Sequence, residues 1–294
     1  MKYLKETISV ATLVFKGFER KHLALIAAGL AYYFVMSLVP ALVLLTAVVA
    51  YLPLQDATQG ANSFMAHVIP QQGLSLIEPV LTTITPHRTG LLSFGLITTL
   101  WLTSKGVKGI IGGLDIVYEV RTPRAIWINR ILAFGLTVAV GMLLLLAVAL
   151  ALAGPFVETL LSVVAPVQSL WMKAWPYVQW VLAAFFTFAA IELLYLLAPN
   201  VPVAKRMTIP GAVIAASIWL ALSGGLGLYF HYFGESKLNA VYGILATPVT
   251  LVIWLYWGAA AILIGAEINV NLQHRKSIRM HEAAKVAQIQ RNVA

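Results

Sequence analysis

The chain has 294 residues, 60% hydrophobic and only 11% charged, with a net charge of +9 and no cysteine. Soluble domains carry about 25% charged residues, so this composition excludes a soluble globular fold. The missing thiols exclude disulfides, thiol catalysis and cysteine-ligated metals, and they leave the redox compartment open.

The N-terminal stretch MKYLKETISVATLVFKGFERKH puts Leu4, Ile8, Ala11, Phe15 and Phe18 on one helical face, with Lys2, Lys5, Glu6, Lys16, Glu19 and Arg20 opposite. This spacing predicts a cytoplasmic amphipathic helix over residues 1–24, lying on the membrane surface or against the bundle; a partner-binding helix is the other reading. Six apolar runs then reach the roughly 20 residues a spanning helix needs. They cover about 25–51, 90–113, 131–153, 177–198, 209–230 and 243–266. Basic residues precede the first run, as in a secretory signal, but it is longer than the usual apolar core of one and is read as an uncleaved span. The expected fold is all-α: a polytopic bundle of six transmembrane helices over residues 25–270, followed by a basic cytoplasmic tail, 271–294. Apolar, proline-punctuated stretches after the first and third spans predict external pieces that cap the bundle or re-enter it.

Of the 20 Lys and Arg, 17 fall in the alternate segments that begin with the N-terminus, and 3 in the others. Basic residues near span ends favour the cytoplasmic side, so both termini are expected inside. Anionic lipid headgroups on that side are the expected partners of this charge, and no nucleic-acid partner is needed. Pro40 and Pro248 interrupt apolar runs and are candidate helix kinks. Small residues four apart, Gly109 and Gly113, Ser223 and Gly227, Ala261 and Gly265, predict close helix crossings.

Charges inside or beside the spans are the candidate functional residues. In WLTSKGVKGIIGGLDIVYEVR, residues 101–121, Lys105, Lys108, Asp115 and Glu119 share one side of a continuous helix. Glu192 lies in the fourth span and Glu267 closes the sixth. A short carboxylate side chain cannot snorkel as lysine can, so Glu192 must face the bundle interior or water. The expectation is an inner-side polar cluster of Lys105, Lys108, Glu192 and Glu267, serving either structural ion pairing or a substrate or proton site. Tyr32, Tyr33, Ser37 and Asp115 are candidates for a substrate path, with interfacial anchoring as the other reading for the two tyrosines.

AAGLAYYFVMSLVPALVLL at 27–45, the 101–121 stretch, LYLLAPNVPVAKRMTIPGAVIAASIW at 194–219 and YGILATPVTLVIWLYWGAAAILIGAEINVNL at 242–272 together resemble the YihY/BrkB family of bacterial inner-membrane proteins. The P-G-A and G-A-E-I-N segments are the more specific parts. Asp115 stands where that family commonly has Asn, which weakens any role carried over to it. The resemblance implies a multi-pass protein of the bacterial inner membrane with a transporter-like or lipid-handling role, and it brings with it an old ribonuclease label. The residues speak against that label, because His22, His67, His87, His231, His274 and His281 are scattered and form no metal-binding run. No enzyme activity, cofactor or metal is expected, and no phosphate-binding GxxxxGK[ST] loop occurs. The competing reading is a non-transporting membrane scaffold. Transport predicts a cavity into which Glu192, Lys105, Tyr32, Tyr33 and Ser37 point; a scaffold predicts a dry, close-packed bundle. A membrane or envelope protein is a further candidate partner, and oligomeric state is left open.

Overall fold

The computed structural model describes residues 12–51, 89–161 apart from Pro123, 165–201, 205–233 and 246–293. Among them are seven helices and no strand. A short α1 covers residues 12–20. It is followed by α2 (Leu23–Tyr51), α3 (Thr89–Val117), α4 (Ile126–Leu161), α5 (Ala165–Leu197), α6 (Lys205–Phe233) and α7 (Ala246–Val293).

Four of these helices contain stretches long and apolar enough to cross a membrane: Ile126–Leu143, Ser169–Leu197, Met207–Tyr229 and Pro248–Ser277. The described apolar part of α2, Leu23–Ser37, is shorter. Their outer surface is apolar, with Phe94, Ile97, Trp101, Trp127, Phe134, Met142, Trp180 and Phe185 all exposed. Apolar patches of this extent mark a surface meant for lipid or a partner and not for water.

Each long helix packs on the next in sequence, and α7 returns to α2, so the six close a ring. Neighbours run antiparallel: Leu30 and Ile26 of α2 meet Gly109 and Gly113 of α3, and Thr208 and Gly211 of α6 meet Asn269 of α7. The core is densest at one end of the ring, where Leu23, Ile111, Leu114, Val117, Tyr195, Ala212, Leu263 and Ala266 are all buried.

Helix ends at this pole are shaped by two non-glycine residues with positive φ, His22 at 51° and Glu119 at 53°. Glu119 closes α3: its N–H bonds the Ile116 carbonyl (3.2 Å) and the Val120 N–H bonds the Asp115 carbonyl (2.9 Å). This is the paired-bond ending in which the left-handed residue is usually glycine. His22 similarly separates α1 from α2, with its N–H on the Glu19 carbonyl (3.0 Å). The expectation of one continuous helix through residue 119 is therefore corrected.

The α6–α7 crossing brings two backbones together. A Cβ added at Gly211 would overlap the Gly265 carbonyl, and one at Gly265 would overlap the Gly211 carbonyl. The P-G-A and G-A-E-I-N segments are the two halves of this contact. Pro210, inside α6, has no N–H to give, and Asn269 meets the backbone on either side of it. Its Oδ1 accepts from the Gly211 N–H (2.8 Å) and its Nδ2 donates to the Thr208 carbonyl (3.0 Å). Gly109, Gly113 and Gly265 thus sit at tight crossings, whereas nothing lies near Gly227. Pro176 and Pro210 lie inside α5 and α6, and Pro40 and Pro155 fall within the ranges of α2 and α4. Pro248 is the third described residue of α7, directly after residues outside the described ones. The side chain of Pro40 lies outside the described residues.

Candidate functional site

The four charges expected to cluster are not brought together. Glu267 is 3% exposed and accepts a hydrogen bond from Lys21 Nζ at 2.9 Å. Lys21 also donates to the Val117 carbonyl (2.8 Å) and lies 3.4 Å from the Glu119 carboxylate. Arg20 completes the group with a 3.1 Å bond to Glu119. Gly17 packs directly on the Glu267 carboxylate, where a Cβ would overlap it. A latch thus holds α1 against the end of α3 and the middle of α7, over a polar cavity of about 670 Å³ that Lys16, Arg20, Glu119, Asn271 and His274 help to line. The buried face of α1 is Val14 and Gly17, with Phe18 half-buried and Phe15 62% exposed. Leu4, Ile8 and Ala11, expected on that face, lie outside the described residues.

Glu192, five residues from the end of α5, accepts a hydrogen bond from the Thr208 hydroxyl of α6. Its second oxygen is buried without a partner among the described residues, as is the Tyr118 hydroxyl. Tyr195, fully buried, donates to the Ile262 carbonyl. Burial pushes the phenol of Tyr118, in the turn after α3, up to about 12; the neighbouring Asn269 side chain lowers it and the Glu192 carboxylate raises it. The neighbours of Glu192 are therefore hydroxyls and an amide, not lysines.

Asp115 turns toward the end of α5, where its Oδ1 accepts the Asn200 backbone N–H at 3.0 Å. Beside it Arg124 donates to the Ala198 (2.8 Å) and Pro199 (3.0 Å) carbonyls. These are groups that a helix end leaves without an internal partner. Asn200 returns the tie through its side chain to the Thr122 carbonyl, 2.6 Å away. Asp115 thus stitches two connections together. Ser37 bonds back to the Phe34 carbonyl (2.8 Å), and Tyr32 and Tyr33 are 59% and 37% exposed in an edge-on pair.

A cavity does lie within the ring, but its walls differ from those expected. It measures about 310 Å³ and takes lining from every long helix, including Phe34, Ile110, Val140, Ala190, Trp219 and Leu255. Thr103, Thr137 and Thr187 are its few polar residues, and Thr137 bonds back to the Ala133 carbonyl (2.7 Å). Glu192, Lys105, Tyr32, Tyr33 and Ser37 do not line it. Lys105 and Lys108 point instead to the outer flank between α3 and α4, where Lys105 Nζ sits 5.5 Å from the Trp101 ring centre.

Sequence reasoning missed Lys21, Thr208, Arg124 and Asn269 as partners. Asn269 had the one readable signal, a polar residue inside the specific G-A-E-I-N segment. The contacts of Lys21 and Arg124 join residues 74 or more apart, which no local pattern encodes.

The profile of the family described as Virulence factor BrkB matches residues 14–290. The chain is 32% identical over 279 residues to the ribonuclease-like protein YfkH of Bacillus subtilis, covering 95% of this chain and 98% of that one. It is also similar to the UPF0761 membrane proteins YihY of Salmonella arizonae, 37% over 97 residues and 33% of either chain, and of Escherichia coli, 40% over 85 residues and 29% of either chain. No solved structure matches it.

Proposed function

This chain belongs to the BrkB family of membrane proteins, and from that membership and its interior we propose that it handles a lipid-like molecule, as a transporter or lipid carrier, and is not an enzyme. The observation that carries this reading is the apolar cavity within the ring. Protein interiors are packed with few voids larger than a water molecule, so an apolar recess of about 310 Å³ shared by the six long helices is room for a guest. A chain serving only as a scaffold gains nothing from it, whereas an acyl chain fills such a space. The lining suits hydrocarbon and not ions, since no charged side chain reaches it. We read the protein as crossing the bacterial inner membrane six times with both termini in the cytoplasm, which agrees with Lys16, Arg20, Lys21, Arg124, Arg130 and Arg275 gathering at one pole of the ring. The ribonuclease-like name of the Bacillus relative is not carried over, because Asp115, Glu119 and Glu267 are each engaged by a donor of this chain.

Gly141 lines the cavity, and a Cβ added there meets nothing within 4 Å. Gly141→Leu should therefore fill the space without disturbing the helices. In liposomes, purified wild-type protein is expected to move a fluorescent phospholipid between leaflets, and Gly141→Leu to slow this at least tenfold at unchanged thermal stability. Wild-type protein that neither moves nor retains lipid returns the scaffold reading.

A further inference from the structure

On the flank of the ring, α3 and α4 enclose a second space of about 450 Å³, lined by Ile97, Trp101, Phe134, Lys105, Lys108 and Arg130 among others. All three basic residues are exposed, and none has a carboxylate partner among the described residues. Three like charges beside a lipid-facing surface repel one another and need a counter-anion. Trp101 already takes one face of the Lys105 ammonium, which positions it without neutralising it.

The groove is polarised along its length. Because α3 and α4 are antiparallel neighbours, the end near their connection is the C-terminal part of α3 and the start of α4. Lys108 and Arg130 lie toward that end. Ile97 sits about 12 Å farther along α3 than Lys105, and Phe134 about 6 Å farther along α4 than Arg130, at 1.5 Å per residue. Cations at one end and hydrocarbon at the other match an amphiphile with an anionic head. Arginine presents a planar fork to phosphate and lysine a point charge, and basic pockets between helices on the cytoplasmic side are known to take anionic headgroups.

We propose that this groove is a binding site for an anionic phospholipid, its phosphate held by Lys105, Lys108 and Arg130 and an acyl chain laid along Ile97, Trp101 and Phe134. A zwitterionic headgroup is disfavoured because its ammonium would meet three cations. The proposal rests on the membrane setting and not on the inner cavity, so the two can fail separately.

The test compares wild-type protein, K105Q/K108Q/R130Q and Gly141→Leu in nanodiscs of phosphatidylcholine with or without phosphatidylglycerol, counting retained lipid by native mass spectrometry. Wild type and Gly141→Leu should retain phosphatidylglycerol at least tenfold over phosphatidylcholine, and the triple variant should lose that preference. Equal retention of the two lipids by wild type, or an undiminished preference in the triple variant, overturns the site. Millimolar inorganic phosphate that displaces the lipid and protects the protein equally well would show a phosphate site and overturn the lipid assignment. Should the triple variant fail to fold, fluorescence of wild type against Trp101→Phe decides. Brominated phosphatidylglycerol must quench the Trp101 contribution at a lower mole fraction than brominated phosphatidylcholine, and equal quenching counts against the proposal.

Discussion

Lys21 and Glu267 are 246 positions apart and both nearly sealed from solvent, with side chains 7% and 4% exposed. Their bond cannot be valued by Coulomb attraction alone, since desolvating both charges offsets much of it. Removing one partner is different, because it strands the other. Lys21→Met should cost about 3–5 kcal/mol, read as a lower melting temperature in detergent. Lys21→Met combined with Glu267→Gln should recover part of that loss, since the stranded charge is then gone. A double variant no more stable than Lys21→Met alone would show that the lysine acts only through the Val117 carbonyl. This pair was invisible in the sequence: lysine at a membrane boundary is normally read as an anchor, and nothing local distinguishes one that folds back into a buried pair.

Beside Pro210 of α6, α7 lays a polar side chain against the backbone. Asn269 reaches the Gly211 N–H and the Thr208 carbonyl, and in lipid there is no water to replace them. Asn269→Leu should remove two buried side-chain-to-backbone hydrogen bonds, at about 0.5–1.5 kcal/mol each. The loss should be smaller in a Pro210→Ala background, where a regular helix can re-form its own bonds; equal losses in both backgrounds, measured as a double-mutant cycle by thermal denaturation, would sever the link between the proline and the asparagine. The P-G-A and G-A-E-I-N segments were legible as special, but only their meeting explains why glycine is needed on both helices.

The ring as a whole has one densely tied pole, built from α1, the α3–α4 and α5–α6 connections and the middle of α7. At 48 residues, α7 is about 72 Å long against a hydrocarbon core of about 30 Å, so it runs well past the bundle on that pole. The proposed orientation, with both termini inside, rests on the basic residues and can be checked directly, because the chain has no cysteine of its own. A membrane-impermeant maleimide applied to spheroplasts should label Gln72→Cys and spare Thr122→Cys and Ala294→Cys. Labelling of Thr122→Cys in sealed spheroplasts would invert the arrangement and with it the cytoplasmic setting of the α3–α4 groove.

Apolar run lengths were enough to establish an all-helical membrane protein, and the small-residue spacings marked two of the close approaches, at Gly109 with Gly113 and at Gly265, but not one at Gly227. These are properties of consecutive residues, and the transfer of a long apolar segment into lipid depends on little else. Which charge meets which was decided only by the closing of the ring. Lys105 and Lys108 point outward because the inward face of α3 is taken by Val107, Ile110, Ile111 and Leu114. Glu267 is claimed by Lys21 because α1 folds back over α7. Rotation of each helix about its own axis is set by how its neighbours pack, and that information is spread over the whole chain.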